Sequence, residues 1–206
     1  MDAGMDLPHR GAERINSFAL VTYIPDPLAS FLNDLREELE CTGPAPRAHV
    51  TLLPPRPIQC PTCEAVKQLG EKVANVDPFE LTLGGPQLFA ATNVVYISIA
   101  SGLERLEAVH AMLNEATLGY DEPFPYHPHV TLAQGLPVSA TRQALEVARI
   151  RWAQYPHARS FWAGSVVFVQ NTLDNQWLDL AEIRLGAEKR QPAPVLAARG
   201  GQRNSR

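Results

Sequence analysis

Apolar residues recur along this chain with two different periods. Alternating or continuously apolar runs predict strands at residues 16–24 (NSFALVTYI), 47–53, 79–89, 93–100, 128–134, 160–170 and 176–184. A period of three to four predicts helices at 27–40, 61–75, 102–117 and 139–153. Pro27 and Pro61 stand where a helix can begin, because the N–H that proline lacks would be unpaired there anyway. Ser139 offers a side-chain oxygen as N-cap of the fourth helix.

Set side by side, the elements form a duplication. The first half runs strand, helix, strand, helix, strand, and the second half repeats that order from Asn93 and adds a final strand. NSFALVTYI matches NVVYISIA, and the glycine-interrupted strands at 79–89 and 160–170 correspond. The expectation is a bilobal α+β fold with lobes at about 15–90 and 91–186, open to exchange of elements between them. Each lobe has a mainly antiparallel sheet with two helices, and a pseudo-twofold relates them around a central cleft. Residues 1–14 and the Pro-, Gly- and Arg-rich segment 187–206 are expected to be flexible ends.

The totals agree with one bilobal domain. Of 206 residues, 45% are hydrophobic and 19% charged, a globular balance. Net charge is −4, but residues 187–206 hold five basic groups against Glu188, which leaves −8 on the rest. Nucleic acid would therefore meet a local patch and not a basic face. No stretch approaches the roughly 20 apolar residues of a membrane span, and the N-terminus shows no signal pattern. A soluble, cytoplasmic monomer is expected. Three cysteines make no disulfide framework, and Cys60-Pro61-Thr62-Cys63 reads as two cysteines opening a helix.

Chemistry enters with one repeated word. His49-Val50-Thr51-Leu52 and His129-Val130-Thr131-Leu132 spell HVTL twice. Positions i and i+2 share a strand face, so His49 with Thr51, and His129 with Thr131, point one way while their neighbours point into the core. Around a twofold, two imidazoles and two hydroxyls would converge on one pocket. An imidazole titrating near pH 6.5 can take a proton while its twin gives one, on opposite sides of a phosphorus. The threonine hydroxyls can donate to the non-bridging oxygens. Such a scheme needs no metal or other cofactor.

With these motifs in the flanks RAHVTLLPPRP and HPHVTLAQ, the chain resembles the two-histidine phosphoesterase superfamily. The branch it looks like is that of the bacterial 2′-5′ RNA ligase-like proteins, many of them RNA 2′,3′-cyclic phosphodiesterases. The resemblance covers about residues 15–185. It implies a bilobal fold, a tetrad of His49, Thr51, His129 and Thr131, and RNA ends or small nucleotides with a 2′,3′-cyclic phosphate as partners. It also suggests His49 as proton donor and His129 as acceptor in hydrolysis. Relatives often carry an arginine after the second motif; this chain has Gln134 there, which can donate a hydrogen bond but brings no charge.

Further candidates flank the tetrad. Arg47 shares the strand face of His49, and Arg56 follows Pro54-Pro55, so either could meet the phosphate in place of that arginine. Tyr126 and Phe124, in the loop before the second motif, are candidate stacking residues for a base, as are Phe89, Tyr96 and Trp177. Two alternatives stand beside the phosphoesterase. One is a nucleotide- or RNA-binding protein that keeps the fold without catalysis. The other is a metal-dependent hydrolase using His127 and His129, with a third ligand from Asp121, Glu122 or the other lobe.

Overall fold

A computed structural model describes residues 13–39 and 46–186. The basic segment 187–206 and nearly all of residues 1–14 lie outside the described residues. Eight strands form two four-stranded antiparallel sheets. Sheet A has the order β2-β1-β7-β8, from β1 (Arg14–Tyr23), β2 (His49–Arg56), β7 (Ser165–Thr172) and β8 (Trp177–Arg184). Sheet B has the order β5-β4-β3-β6, from β3 (Phe79–Phe89), β4 (Val94–Ser101), β5 (His129–Ala133) and β6 (Ser160–Ala163). The fold is α+β, with a duplicated lobe structure about a pseudo-twofold.

The two sheets do not coincide with the two sequence halves. β3 closes the first half but pairs with β4, while β7 from the second half pairs with β1. Each half has given strands to the other's sheet, β3 to sheet B and β7 with β8 to sheet A. The run expected as one strand over 160–170 is broken at Gly164: β6 pairs with β3 in sheet B, and β7 continues into sheet A. At Gly164 the chain passes from one sheet to the other.

The helices are α1 (Leu28–Glu38), α2 (Thr62–Val73), α3 (Leu103–Leu113) and α4 (Val138–Ala153). They lie on the sheets' outer faces: α1 contacts β5, α3 contacts β2, α2 contacts β8, and α4 contacts β3, β4 and β5. Asp26 begins α1 by accepting from the backbone N of Ser30 (3.1 Å). Ser139 is not a cap, because α4 starts a residue earlier, after Pro137, and Ser139 falls in its first turn. α3 stops four residues short of the expected end. Ala116 adopts φ +52, and the Asn114 side chain accepts from the backbone N of Tyr120 (2.9 Å), so a turn replaces the last helical turn.

One apolar core joins both lobes, and Leu20, Leu52, Leu81, Ile97 and Leu132 are fully buried in it. β2 and β5, the edge strands that carry HVTL, lie against each other where the sheets meet. That contact brings the two motifs to one place.

Candidate active site

Along β2, Val50 and Leu52 are buried in the core while His49 and Thr51 stay partly exposed. β5 repeats the pattern, with Val130 and Leu132 inward and His129 and Thr131 outward. All four outward side chains line one cleft of about 900 Å³ between the sheets. That volume lies in the range of small-molecule sites.

The two histidines are held alike. His49 Nδ1 donates to the carbonyl of Arg47 (2.7 Å), and His129 Nδ1 donates to the carbonyl of His127 (2.7 Å). A carbonyl only accepts, so each neutral ring carries its proton on Nδ1 and keeps a lone pair on Nε2. The backbone two residues upstream thus sets both tautomers, and each Nε2 keeps its lone pair.

Burial lowers the basicity of both rings. His49 is pushed down to about 4, first by burial and then by the positive charges of Arg36 and of His129 itself. His129 is lowered too, by burial and by the neighbouring His127. Arg36 is a residue that the sequence pattern did not single out. Buried in α1, it donates from Nε to the carbonyl of Thr131 (2.7 Å) and from Nη1 to that of Pro46 (2.6 Å). It ties the second motif to the segment that precedes the first.

Aromatic rings back the second motif. Phe89 and Tyr96 stack with centroids 3.9 Å apart, and both meet the rings of His127 and His129 at steep angles. Beside the first motif, Tyr23 meets His49 edge-on at 6.4 Å and carries the Arg47 guanidinium 3.8 Å over its ring. Asp179 accepts from Tyr23 Oη (2.6 Å) and from Arg47 Nη2 (2.7 Å). Burial and the Asp179 carboxylate push the Tyr23 hydroxyl up to about 12, so it stays protonated at neutral pH.

Of the five residues expected to bind substrate, the structure brings three into the cleft lining: Phe124, Tyr126 and Gln134. Phe124 is 65% exposed. One face of Tyr126 is already occupied by His110 (3.8 Å, near-parallel), and its hydroxyl donates to the carbonyl of Thr51 (2.9 Å). Arg47 stands outside the lining, paired with Asp179. Arg56 also lies outside it, only 3% exposed. Its guanidinium pairs with Glu122 and donates to Asn114 and to the carbonyl of Leu118, and its Nε donates to that of Pro54 (2.9 Å). Pro54-Pro55 does not swing Arg56 outward as expected; β2 continues through Arg56 and turns it inward. For the metal alternative, Glu122 is engaged with Arg56 and His110. No metal-ligating group of three or more His, Cys, Asp or Glu occurs among the described residues. Nor, among those residues, is any helix long and apolar enough to cross a membrane.

Residues 24–175 match the family model described as the 2′-5′ RNA ligase superfamily. No curated protein matches the sequence. Among solved structures, E. coli LigT complexed with ATP aligns at a TM-score of 0.59 and 16% identity, over 84% of this chain and 99% of that one. E. coli LigT complexed with NADP+ aligns at 0.57 and 17% identity, over 85% and 99%. A structure described as a phosphoesterase aligns at 0.57 and 15% identity, over 85% and 99%. At such identities the likeness is one of fold.

Proposed function

The chain belongs to the 2′-5′ RNA ligase superfamily, and on that premise we propose that it is a metal-independent phosphoesterase acting on 2′,3′-cyclic phosphates of nucleotides or RNA ends. With a ribose 5′-hydroxyl in place of water as the nucleophile, and the 3′-oxygen as leaving group, the same chemistry would form a 2′-5′ linkage. The observation that carries this reading is the pair of matched Nδ1–carbonyl bonds, which leaves two Nε2 atoms on one cleft. E. coli LigT is described in complexes with ATP, NADP+ and 3′-AMP, and a nucleotide is the ligand carried over to this cleft.

In hydrolysis, His129 Nε2 takes a proton from water as the water oxygen bonds to phosphorus. The bond from phosphorus to one ribose oxygen breaks on the far side, and His49 gives its Nε2 proton to that oxygen. The product is a phosphomonoester beside a free hydroxyl. Thr51 and Thr131 donate to the non-bridging oxygens, where charge builds.

This scheme has a consequence for pH. The productive enzyme holds one proton on the pair, yet both rings are lowered, His49 to about 4. In the free enzyme the one-proton form is therefore most populated below pH 6.5. Donation from His49 relies on the bound phosphate, whose negative charge stabilises the imidazolium. kcat/KM, which reports the free enzyme, should peak on the acid side of pH 6.5 and fall about tenfold per unit on the alkaline limb. Its acid limb would then follow the depressed His49, near pH 4. kcat, which reports the complex, should peak at higher pH. Coincident kcat and kcat/KM optima above pH 7 would refute the scheme.

Hydrolysis of nucleoside 2′,3′-cyclic phosphates in EDTA tests the whole reading. Turnover supports it. A folded wild-type protein that binds nucleotide without turnover would point to the non-catalytic role that Gln134 motivates.

A further inference from the structure

Sheet A is apolar on both faces, although helices cover only one. Phe18, Leu20, Val166 and Phe168 join the main core. Ala19, Val21, Val167 and Val169 form a separate cluster on the opposite face, against Tyr23 and Trp177. An antiparallel sheet with one wet face would alternate apolar with polar there. This second face is instead a wall of the cleft, continuous with the catalytic centre.

The pairing register gives the wall its order. Val21 sits beside Thr51, and Ala19 beside Val169. Two more residues along, Ser17 on β1 and Asn171 on β7 reach the cleft, with Trp177 paired to Asn171. Each two-residue step advances roughly 7 Å, so this last row stands about 14 Å from that of Thr51. The first steps are small and apolar; the last offers an indole and amides. Asn171 donates to Asn175 Oδ1 (3.1 Å), which leaves the Asn175 amide nitrogen to meet a ligand. On the sheet B side, the place beside His129 is taken by Phe89 and Tyr96, which stack on each other.

We infer that the sheet A wall between Thr51 and Trp177 is the subsite for the base of a nucleotide whose phosphate sits at the two histidines. This rests on reading the cleft as a nucleotide phosphoesterase site. Side chains lining the wall are uncharged, which suits a neutral heterocycle and disfavours a second phosphate. Asp179, at the outer edge, is held by Arg47 and Tyr23. Trp177 supplies the stacking face, and Ser17 and the two asparagines supply polar contacts to the base edge.

Calorimetric binding of a nucleoside 2′-monophosphate and of ribose 2-phosphate, to wild type, Trp177→Ala and Trp177→Phe, tests the subsite without needing turnover. Wild type should prefer the nucleotide. Trp177→Ala should lose about tenfold of that preference, since stacking on an aromatic residue contributes about 1–3 kcal/mol per base. Trp177→Phe should recover most of it. Equal wild-type affinity for both ligands, or full preference kept in Trp177→Ala, would overturn the subsite even if cyclic phosphates are hydrolysed. Preference lost as expected in a protein that hydrolyses nothing would leave the subsite standing and remove the catalytic reading.

Discussion

Replacing His129 with alanine should lower kcat for cyclic-phosphate hydrolysis by about 10²- to 10⁴-fold, the range of a single positioned acid or base. His49→Ala should do the same, and the double variant should be little worse than the poorer single one, because the two rings serve one proton-transfer event. The expectation rests on geometry that a buried structural histidine would not need. Each ring spends Nδ1 on the backbone two residues upstream, which leaves Nε2 for the cleft that both histidines line. Thermal melts should show both variants folded, since removing a partly exposed ring leaves the buried Val50, Leu52, Val130 and Leu132 in place. Retention of more than a tenth of the wild-type kcat in either variant would exclude that ring as acid or base.

Arg56→Ala should cost about 3–5 kcal/mol of stability, the usual penalty for stranding one partner of a buried ion pair. Here the stranded partner is Glu122, whose side chain is only 10% exposed. At roughly 2–4 °C per kcal/mol for a chain of this size, the melting temperature should fall by about 10 °C. Burial draws the Arg56 guanidinium below its ordinary value, and the Glu122 carboxylate opposes that shift. The double variant Arg56→Met, Glu122→Leu should recover part of the loss, because an apolar pair leaves no charge behind. If Arg56 instead met the substrate phosphate, Arg56→Ala would melt like wild type and show a raised KM.

The two arginines show where sequence stops being informative. HVTL is legible because a strand's two-residue period alone sends His and Thr to one face, whatever surrounds them. The ends of Arg47 and Arg56 depend on partners far along the chain, Asp179 and Glu122, and no local pattern encodes those meetings. Arg36 is invisible for the same reason: a basic residue late in an amphipathic helix reads as a solvated end, yet it is buried against Thr131. The wall of sheet A was half legible. The unbroken apolar run FALV in β1 marks a strand buried on both faces, but only the pairing with β7 shows that one of those faces is the cleft. The duplication is plain and leaves exchange between the lobes open, but which strands cross over is not legible, because local pattern carries no information about which sheet a strand joins.

That exchange also governs when the cleft can assemble during synthesis. β1 leaves the ribosome early, but the strand that completes its sheet is β7; Thr22 donates to the carbonyl of Ser165, 143 positions later. At about 5–20 residues per second, β1 waits roughly 10–30 s with an unpaired apolar edge. The nascent N-terminal half therefore cannot complete its sheet by itself, and the waiting edge is a site for mispairing with other chains. Nascent chains halted after β3 should partition into aggregates or onto holdase chaperones, while chains halted far enough past β8 to clear the exit tunnel should not.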